Sequence, residues 1–233
     1  MKRLAIQDSQ NLELLLDQVL SAHEDLRGAL ARELHNELGA LLTGMALDLS
    51  RLQSPSIPRS EEVEAALDSS LALLREAVIL KRQFIEKLYP STLQLLGLAI
   101  ALETLAKSVS DEYGVQIDTF VDTLETPLRP GMDIDIYRVA EAALENVVRH
   151  SGSTTARLSL TEDDRWLVMV IGDDGAGFDI AAETRGKHMA KGIRLMRHRL
   201  KRWNGELHVE SAAGAGATVT ARVPLAGAGP AMR

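Results

Sequence analysis

The chain contains no cysteine among its 233 residues. That excludes a disulfide framework, a thiolate metal site and a thiol nucleophile. Aromatic residues are scarce, at 3%, against a hydrophobic share of 45%. A chain so rich in Leu and Ala packs through aliphatic helices rather than as an aromatic-rich β-sandwich. No apolar run approaches the roughly 20 residues that span a bilayer, and the opening MKRLAIQDSQ lacks the apolar core of a secretory signal. A soluble, cytoplasmic chain with no membrane segment of its own is expected. A formal net charge of −7 offers no concentrated basic face, so direct nucleic-acid contact is not expected either. Internal repeats are absent too.

What is present divides the chain in two. Over residues 11–52 apolar side chains recur at steps of three and four: Leu12, Leu15, Val19, Ala22, Leu26, Ala29, then Leu34, Leu38, Leu41, Met45, Leu49 and Leu52. This is the pattern of one long amphipathic helix with a coiled-coil-like seam. At 1.5 Å per residue it would run about 60 Å, too long for a small core to cover. Pro55 and Pro58 break the pattern, Ser60 reads as an N-cap followed by Glu61 and Glu62, and Pro90 closes a second helix over residues 60–89. Two such helices form an antiparallel hairpin, and dimerisation into a four-helix bundle is the economical cover for its excess Leu.

Beyond Pro90 the pattern mixes. Helices are expected over residues 96–109, 134–150 and 189–203, strands over 115–121, 156–160 and 166–171, and a final hairpin of 206–210 with 217–223. The order implies an α+β two-layer sandwich, one mixed sheet under one helical layer. The boundaries expected are 1–90 for the hairpin domain, 91–228 for the sandwich and 229–233 for a disordered tail.

Asp173-Asp174-Gly175-Ala176-Gly177-Phe178 follows a strand directly. A carboxylate there can accept a hydrogen bond from an adenine amino group, while glycines let the backbone approach base and ribose. Alone, the hexapeptide fits an ordinary Asp-Gly turn equally well. Upstream, Asn146, Arg149 and His150 share neighbouring helical faces; the Asn oxygen suits Mg²⁺, and the other two can meet phosphates. Downstream, Lys191, Gly192 and Ile193 stand where a helix opens, a place for phosphate on free N–H groups. Gly214, Gly216 and Thr218 belong to the final hairpin.

These segments, in this order, resemble the ATPase domain shared by histidine kinases, gyrase, Hsp90 and MutL, the GHKL or Bergerat fold. The resemblance implies that Asn146 holds Mg²⁺, that Asp173 reads adenine, and that residues 179–189 form a lid. On the first helix, Arg32-Glu33-Leu34-His35-Asn36-Glu37-Leu38-Gly39 sets His35 at the edge of the seam. A helical His alone is more often a surface residue, although neutral imidazole is a competent nucleophile. The segment resembles the dimerisation and phosphoacceptor motif of sensor histidine kinases that partner NarL-type response regulators. Leu88-Tyr89-Pro90, Leu93, Leu96-Gly97-Leu98 and Ala101-Leu102 resemble the connector that follows it. The resemblance implies a homodimer that moves the γ-phosphoryl of ATP, with Mg²⁺, to His35 and then to an aspartate of a separate receiver domain. It also makes this chain, alone or as part of a larger sensor, cytoplasmic.

Three positions depart from the family pattern: Asn36 where an acid follows the His, Ala40 where a Gln is usual, and Ala142 where a Glu stands four residues before Asn146. Ala190 also replaces a usual Gly. The catalytic candidates are therefore His35, Asn36, Glu37 and Glu141. An amide orients an imidazole but is a poor base, so a degenerate kinase acting as a phosphotransfer or nucleotide-sensing scaffold stays open beside the active kinase. An ATPase using no histidine would leave the helical hairpin idle.

Overall fold

The computed structural model describes residues 2–54, 60–163, 165–179 and 189–225, except the side chains of residues 2–14, 17 and 189–191. The expected tail and most of the expected lid lie outside these residues. The chain separates into two compact units, Met1–Ser91 and Thr92–Arg233.

The first unit is a helical hairpin of α1 (Lys2–Leu52) and α2 (Glu61–Leu88). Helix α1 begins at Lys2 rather than Asn11, so the opening residues continue it. Ser60 caps α2 in extended geometry, its Oγ accepting the Val63 N–H at 3.4 Å, with Glu61, Glu62 and Glu64 in the first turn. Tyr89 is extended, as the residue before Pro90 must be, and stops the helix there. Arg27 of α1 sets the pairing of the two helices. Its Nε and Nη2 donate to the carbonyls of Leu88 and Lys87 at 2.8 and 2.6 Å, placing a cation on the negative end of α2. Leu67, Leu74 and Ile85 are buried on one face of α2. A second face stays open: Val19, Leu26, Leu41, Met45, Leu73, Leu80 and Phe84 are exposed large hydrophobics.

The second unit comprises α3 (Ser91–Tyr113), β1 (Gln116–Val121), α4 (Met132–Asn146), a π-helical turn (Val147–Ser151), β2 (Thr155–Glu162), β3 (Trp166–Asp173), α5 (Met189–Lys201), β4 (Glu206–Ser211) and β5 (Ala217–Pro224). The strands form one mixed sheet in the order β1-β2-β3-β5-β4, with β1 parallel to β2 and the other pairs antiparallel. Strict alternation turns Leu158 and Leu160, Leu167 to Ile171 at every second position, Ala221 and Val223 inward, where they meet Leu98, Leu102, Val139, Leu144, Met196 and Leu200 of the helices. The helical hairpin followed by an α/β sandwich thus has the expected architecture.

Two expectations change. By length and composition α3 is apolar enough to cross a membrane, with a mean hydropathy of 1.3, against the expectation that nothing approaches such a span. Its Leu98, Ala101, Leu102 and Ala106 are buried in the second unit's core, and Gly97 breaks its helical path at φ 84° and ψ 177°. The helix expected through His150 ends at Asn146 and widens into the π-helical turn. There the Ser151 hydroxyl donates to the Val147 carbonyl at 2.7 Å, satisfying it where the regular ladder has opened.

Candidate functional site

Asp173 ends β3, and residues 174–178 turn back across the end of the sheet. The Asp173 Oδ1 accepts the Gly175 N–H at 2.9 Å, which fixes the carboxylate against its own loop. The loop is then tied to two other segments. Ala176 N–H donates to the Ser151 carbonyl at 2.7 Å, on the π-helical turn. Gly216 N–H donates to the Gly175 carbonyl at 3.0 Å and Gly214 N–H to the Ala176 carbonyl at 2.6 Å, from the β4–β5 turn. Ser211 closes the arrangement: its Oγ accepts the Phe178 N–H at 2.8 Å and donates to the Gly216 carbonyl at 2.7 Å. Both glycines of the expected motif are sterically required. A Cβ on Gly175 would collide with the Ser151 carbonyl; Gly177 has φ 58°, and a Cβ there would strike the Ala212 carbonyl.

Beside this loop lies a cleft walled by Ala143, Asn146, Val147, His150 and Ser151 on one side, Ile171, Asp173, Gly177 and Phe178 below, Ile193 of α5, and Val209, Ala217 and Val219 of the last two strands. Six expected site residues therefore come together: Asn146, His150, Asp173, Gly177, Phe178 and Ile193. Helical spacing carries Ala143, Asn146, Val147 and His150 onto one face. Asn146 is half-buried and His150 exposed.

Other expected residues stand elsewhere. Arg149 is turned to solvent, where its Nη2 meets Glu145 Oε1 at 2.7 Å. Glu141 faces away from the cleft wall, its two oxygens held by Arg138 Nη1 at 3.1 and 2.9 Å. Gly175 sits behind the loop against Ser151. Thr218 occupies the opposite face of β5, because alternation gives the cleft Ala217 and Val219. Gly192 lies within the first turn of α5, which opens three residues earlier at Met189, and the side chain of Lys191 is outside the described residues. Sequence reasoning missed Ser151, Ser211 and the apolar wall of Val147, Ile171, Val209 and Val219. Strand alternation from Asp173 and Ala217 is the signal that could have found half of that wall.

His35 is in the first unit, on the exposed surface of α1, with Leu34 half-buried beside it and Asn36 and Glu37 exposed. One turn on, Gly39 leaves space that Lys81 of α2 approaches, its Nζ 3.4 Å from where a Cβ would stand.

The cleft fits an adenine nucleotide. Aliphatic walls suit the faces of a base, and a fixed carboxylate suits its amino group. For Mg²⁺ the described residues offer no cluster of three acidic or His ligands. Asn146 alone suits an ion that keeps its waters and is carried by phosphate oxygens.

Comparison with known proteins agrees with this geometry. Residues 131–227 match the family described as histidine kinase-, DNA gyrase B-, and HSP90-like ATPase, and residues 27–93 match a family described as histidine kinase. The sensor histidine kinase MctS of Rhizobium johnstonii is 30% identical over 224 residues, covering 95% of this chain and 48% of that protein. The sensor histidine kinase NarS of Mycobacterium tuberculosis is 32% identical over 188 residues, 80% of this chain and 42% of its own length. The chain spans about half the length of these curated relatives. Among solved structures, the blue-light activated histidine kinase of Erythrobacter litoralis EL346 shares 18% identity at a TM-score of 0.49, over 83% of this chain and 60% of that one. So loose a likeness places no side chain.

Proposed function

Because the chain belongs to the sensor histidine kinases, we propose that it binds Mg-ATP in the second-unit cleft, phosphorylates its own His35 and passes the phosphoryl group to an aspartate of a NarL-type receiver domain. The observation that carries this is one cleft holding Asn146, Asp173 and Gly177 together, in a chain that also carries an exposed His35 on a long helix. Val147, Ile171, Ile193 and Val209 enclose the base, Asp173 accepts from its amino group, and Asn146 contributes one oxygen to the metal. A homodimer covers the open face of the hairpin, on which Leu41 and Leu73 are each 64% exposed.

In the transfer a ring nitrogen of His35 attacks the γ-phosphorus. A P–N bond forms as the P–O bond to the β-phosphate breaks, and ADP leaves. The imidazole proton needs an acceptor, and Asn36 is a poor one. Glu37 is proposed for that role, although it stands about 100° further round the helix.

A second reading has its own observation. Glu141 and Glu145 flank Ala142, yet both are held by arginines, and no carboxylate of α4 lines the cleft among the described residues. A chain that holds nucleotide without spending it would serve as a phosphotransfer or nucleotide-sensing scaffold. Incubation with labelled ATP and Mg²⁺, with and without a NarL-type receiver, separates the two. Self-labelling passed on to the receiver supports the kinase, with Asn36→Asp expected to raise its rate. Nucleotide binding with no self-labelling, and label gained only backwards from a phosphorylated receiver, supports the scaffold.

A further inference from the structure

One buried ionic cluster takes no part in the chemistry proposed so far. Asp135, in the first turn of α4, is 1% exposed. Its Oδ1 accepts from Arg199 Nη1 at 2.8 Å, and its Oδ2 accepts from Arg202 Nη1 at 3.0 Å and from the Trp203 indole N–H at 2.9 Å. Arg199 is itself buried, its side chain only 7% exposed. Such a pair is a weak source of stability, because apolar residues of similar volume usually hold two helices together as well. What a carboxylate with three donors supplies is direction. Each bond fixes an angle as well as a distance.

The placement gives that direction a use. Asp135 stands at one end of α4 and the cleft-lining Asn146 at the other, about 16 Å along the axis. Arg199 stands near the C-terminal end of α5 and the cleft-lining Ile193 near its start. The two helices that flank the cleft are thus referenced to each other through one side chain. The reference extends to the sheet: Arg129 stacks on Trp203 with its guanidinium 5.2 Å from the ring centre, and its Nη2 donates to the Trp203 and Pro224 carbonyls at 3.0 and 3.2 Å.

We propose that Asp135 is a positioning residue for the nucleotide: it pins the end of α5 to the first turn of α4 and so fixes where Ile193 stands on the cleft wall. This rests on the cleft being the nucleotide site. The test measures Mg-ATP affinity by calorimetry and thermal unfolding together, on the full chain, for the wild type, the double variant Asp135→Leu/Arg199→Leu and the single variant Trp203→Phe. The double variant exchanges the buried Asp135–Arg199 pair for an apolar one and takes the acceptor from Arg202 and from the Trp203 indole N–H. It should still fold, unfolding within about 10 °C of the wild type, yet bind ATP about tenfold more weakly, the size of an ordinary coupling between two places in a protein. Trp203→Phe removes the indole donor and trims the ring on which Arg129 and Arg202 lie, and leaves Asp135 with both arginines. It should weaken ATP by about threefold and lower the melting temperature by about 2–4 °C. A stable double variant with wild-type affinity overturns the proposal. Should the double variant fail to fold, unchanged affinity in Trp203→Phe does so alone. A wild type that binds no nucleotide sinks the cleft assignment first, and the role of Asp135 with it.

Discussion

In the second unit Leu102, Val139, Leu144 and Leu160 have no exposed surface, whereas in the first Leu41 and Leu73 stand 64% open on helices already packed against each other. The sandwich can close because a sheet has one broad face and three helices can cover it. A two-helix hairpin has no such option. Each helix meets its neighbour along one stripe, and in both helices a second apolar stripe is left about 100° away. Val19, Leu26, Leu41 and Met45 follow whole-turn spacing on α1, as do Leu73, Leu80 and Phe84 on α2. The same contrast holds for polar chemistry. The sandwich fixes its functional groups through a dense set of backbone bonds around Gly175, Gly177 and Ser151, while His35 is held by little more than the helix it rides on. On the proposed function, the first unit presents a histidine and the second binds the nucleotide.

The sharpest way to break that contrast is to charge the open stripe. Leu41→Arg combined with Leu73→Arg should convert a dimer to a monomer in sedimentation, since an unpaired buried charge costs about 3–5 kcal/mol. Nucleotide affinity should not move, because the cleft lies wholly in the other unit. A variant that remains dimeric would place the seam elsewhere. Next in size, Asp173→Ala removes a charged acceptor from the cleft and strands the Gly175 N–H. A loss of about 1.5–3 kcal/mol in ATP binding is expected, with the oligomeric state unchanged. Unaltered affinity by calorimetry would remove Asp173 from the base-reading role.

The smallest effect concerns the loop before α4. Glu162 at the end of β2 accepts the N–H groups of Glu125 and Thr126 at 2.9 and 3.0 Å. Its bond with the Thr126 side chain, aided by those backbone donors and opposed by slight burial, holds its carboxyl below the ordinary 4.5. A lowered folded pKa stabilises above the unfolded value, and that contribution disappears as pH falls through the folded one. Glu162→Gln should therefore lower the stability near neutral pH by about a few tenths of a kcal/mol after solvent screening, read as a slightly lower melting temperature. The difference should fade as the pH falls from 4.5 down through the lowered folded value; a difference that persisted in stronger acid would point to packing rather than charge.

Features set by near neighbours were open to sequence reasoning. Ser60 before Glu61 and Glu62, Tyr89 before Pro90, and the alternation of residues 217–223 each declare themselves within a few positions. The glycine loop was legible as a place of close approach, but the groups approached are the Ser151 and Ala212 carbonyls rather than a base and ribose. The fates of Arg149 and Glu141 were less plain but not hidden. Glu145 and Arg149 are four residues apart and Arg138 and Glu141 three, so each pair meets on the helix surface before any phosphate is considered. The Asp135 cluster could not be read, because its partners lie 64 to 68 residues away. The π-helical turn went unread although the Ser151 hydroxyl reaches a carbonyl only four residues back, at Val147.

The proposed function requires a nucleotide held in one unit to be spent on a histidine in the other. The most direct test is incubation of the full chain with γ-labelled Mg-ATP, followed by acid treatment, for the wild type and His35→Ala side by side. Acid-labile label on the wild type and none on His35→Ala, with equal ATP affinity in the two, is the expected result. A wild type that binds ATP yet acquires no label under any condition, or label that survives His35→Ala, would contradict it.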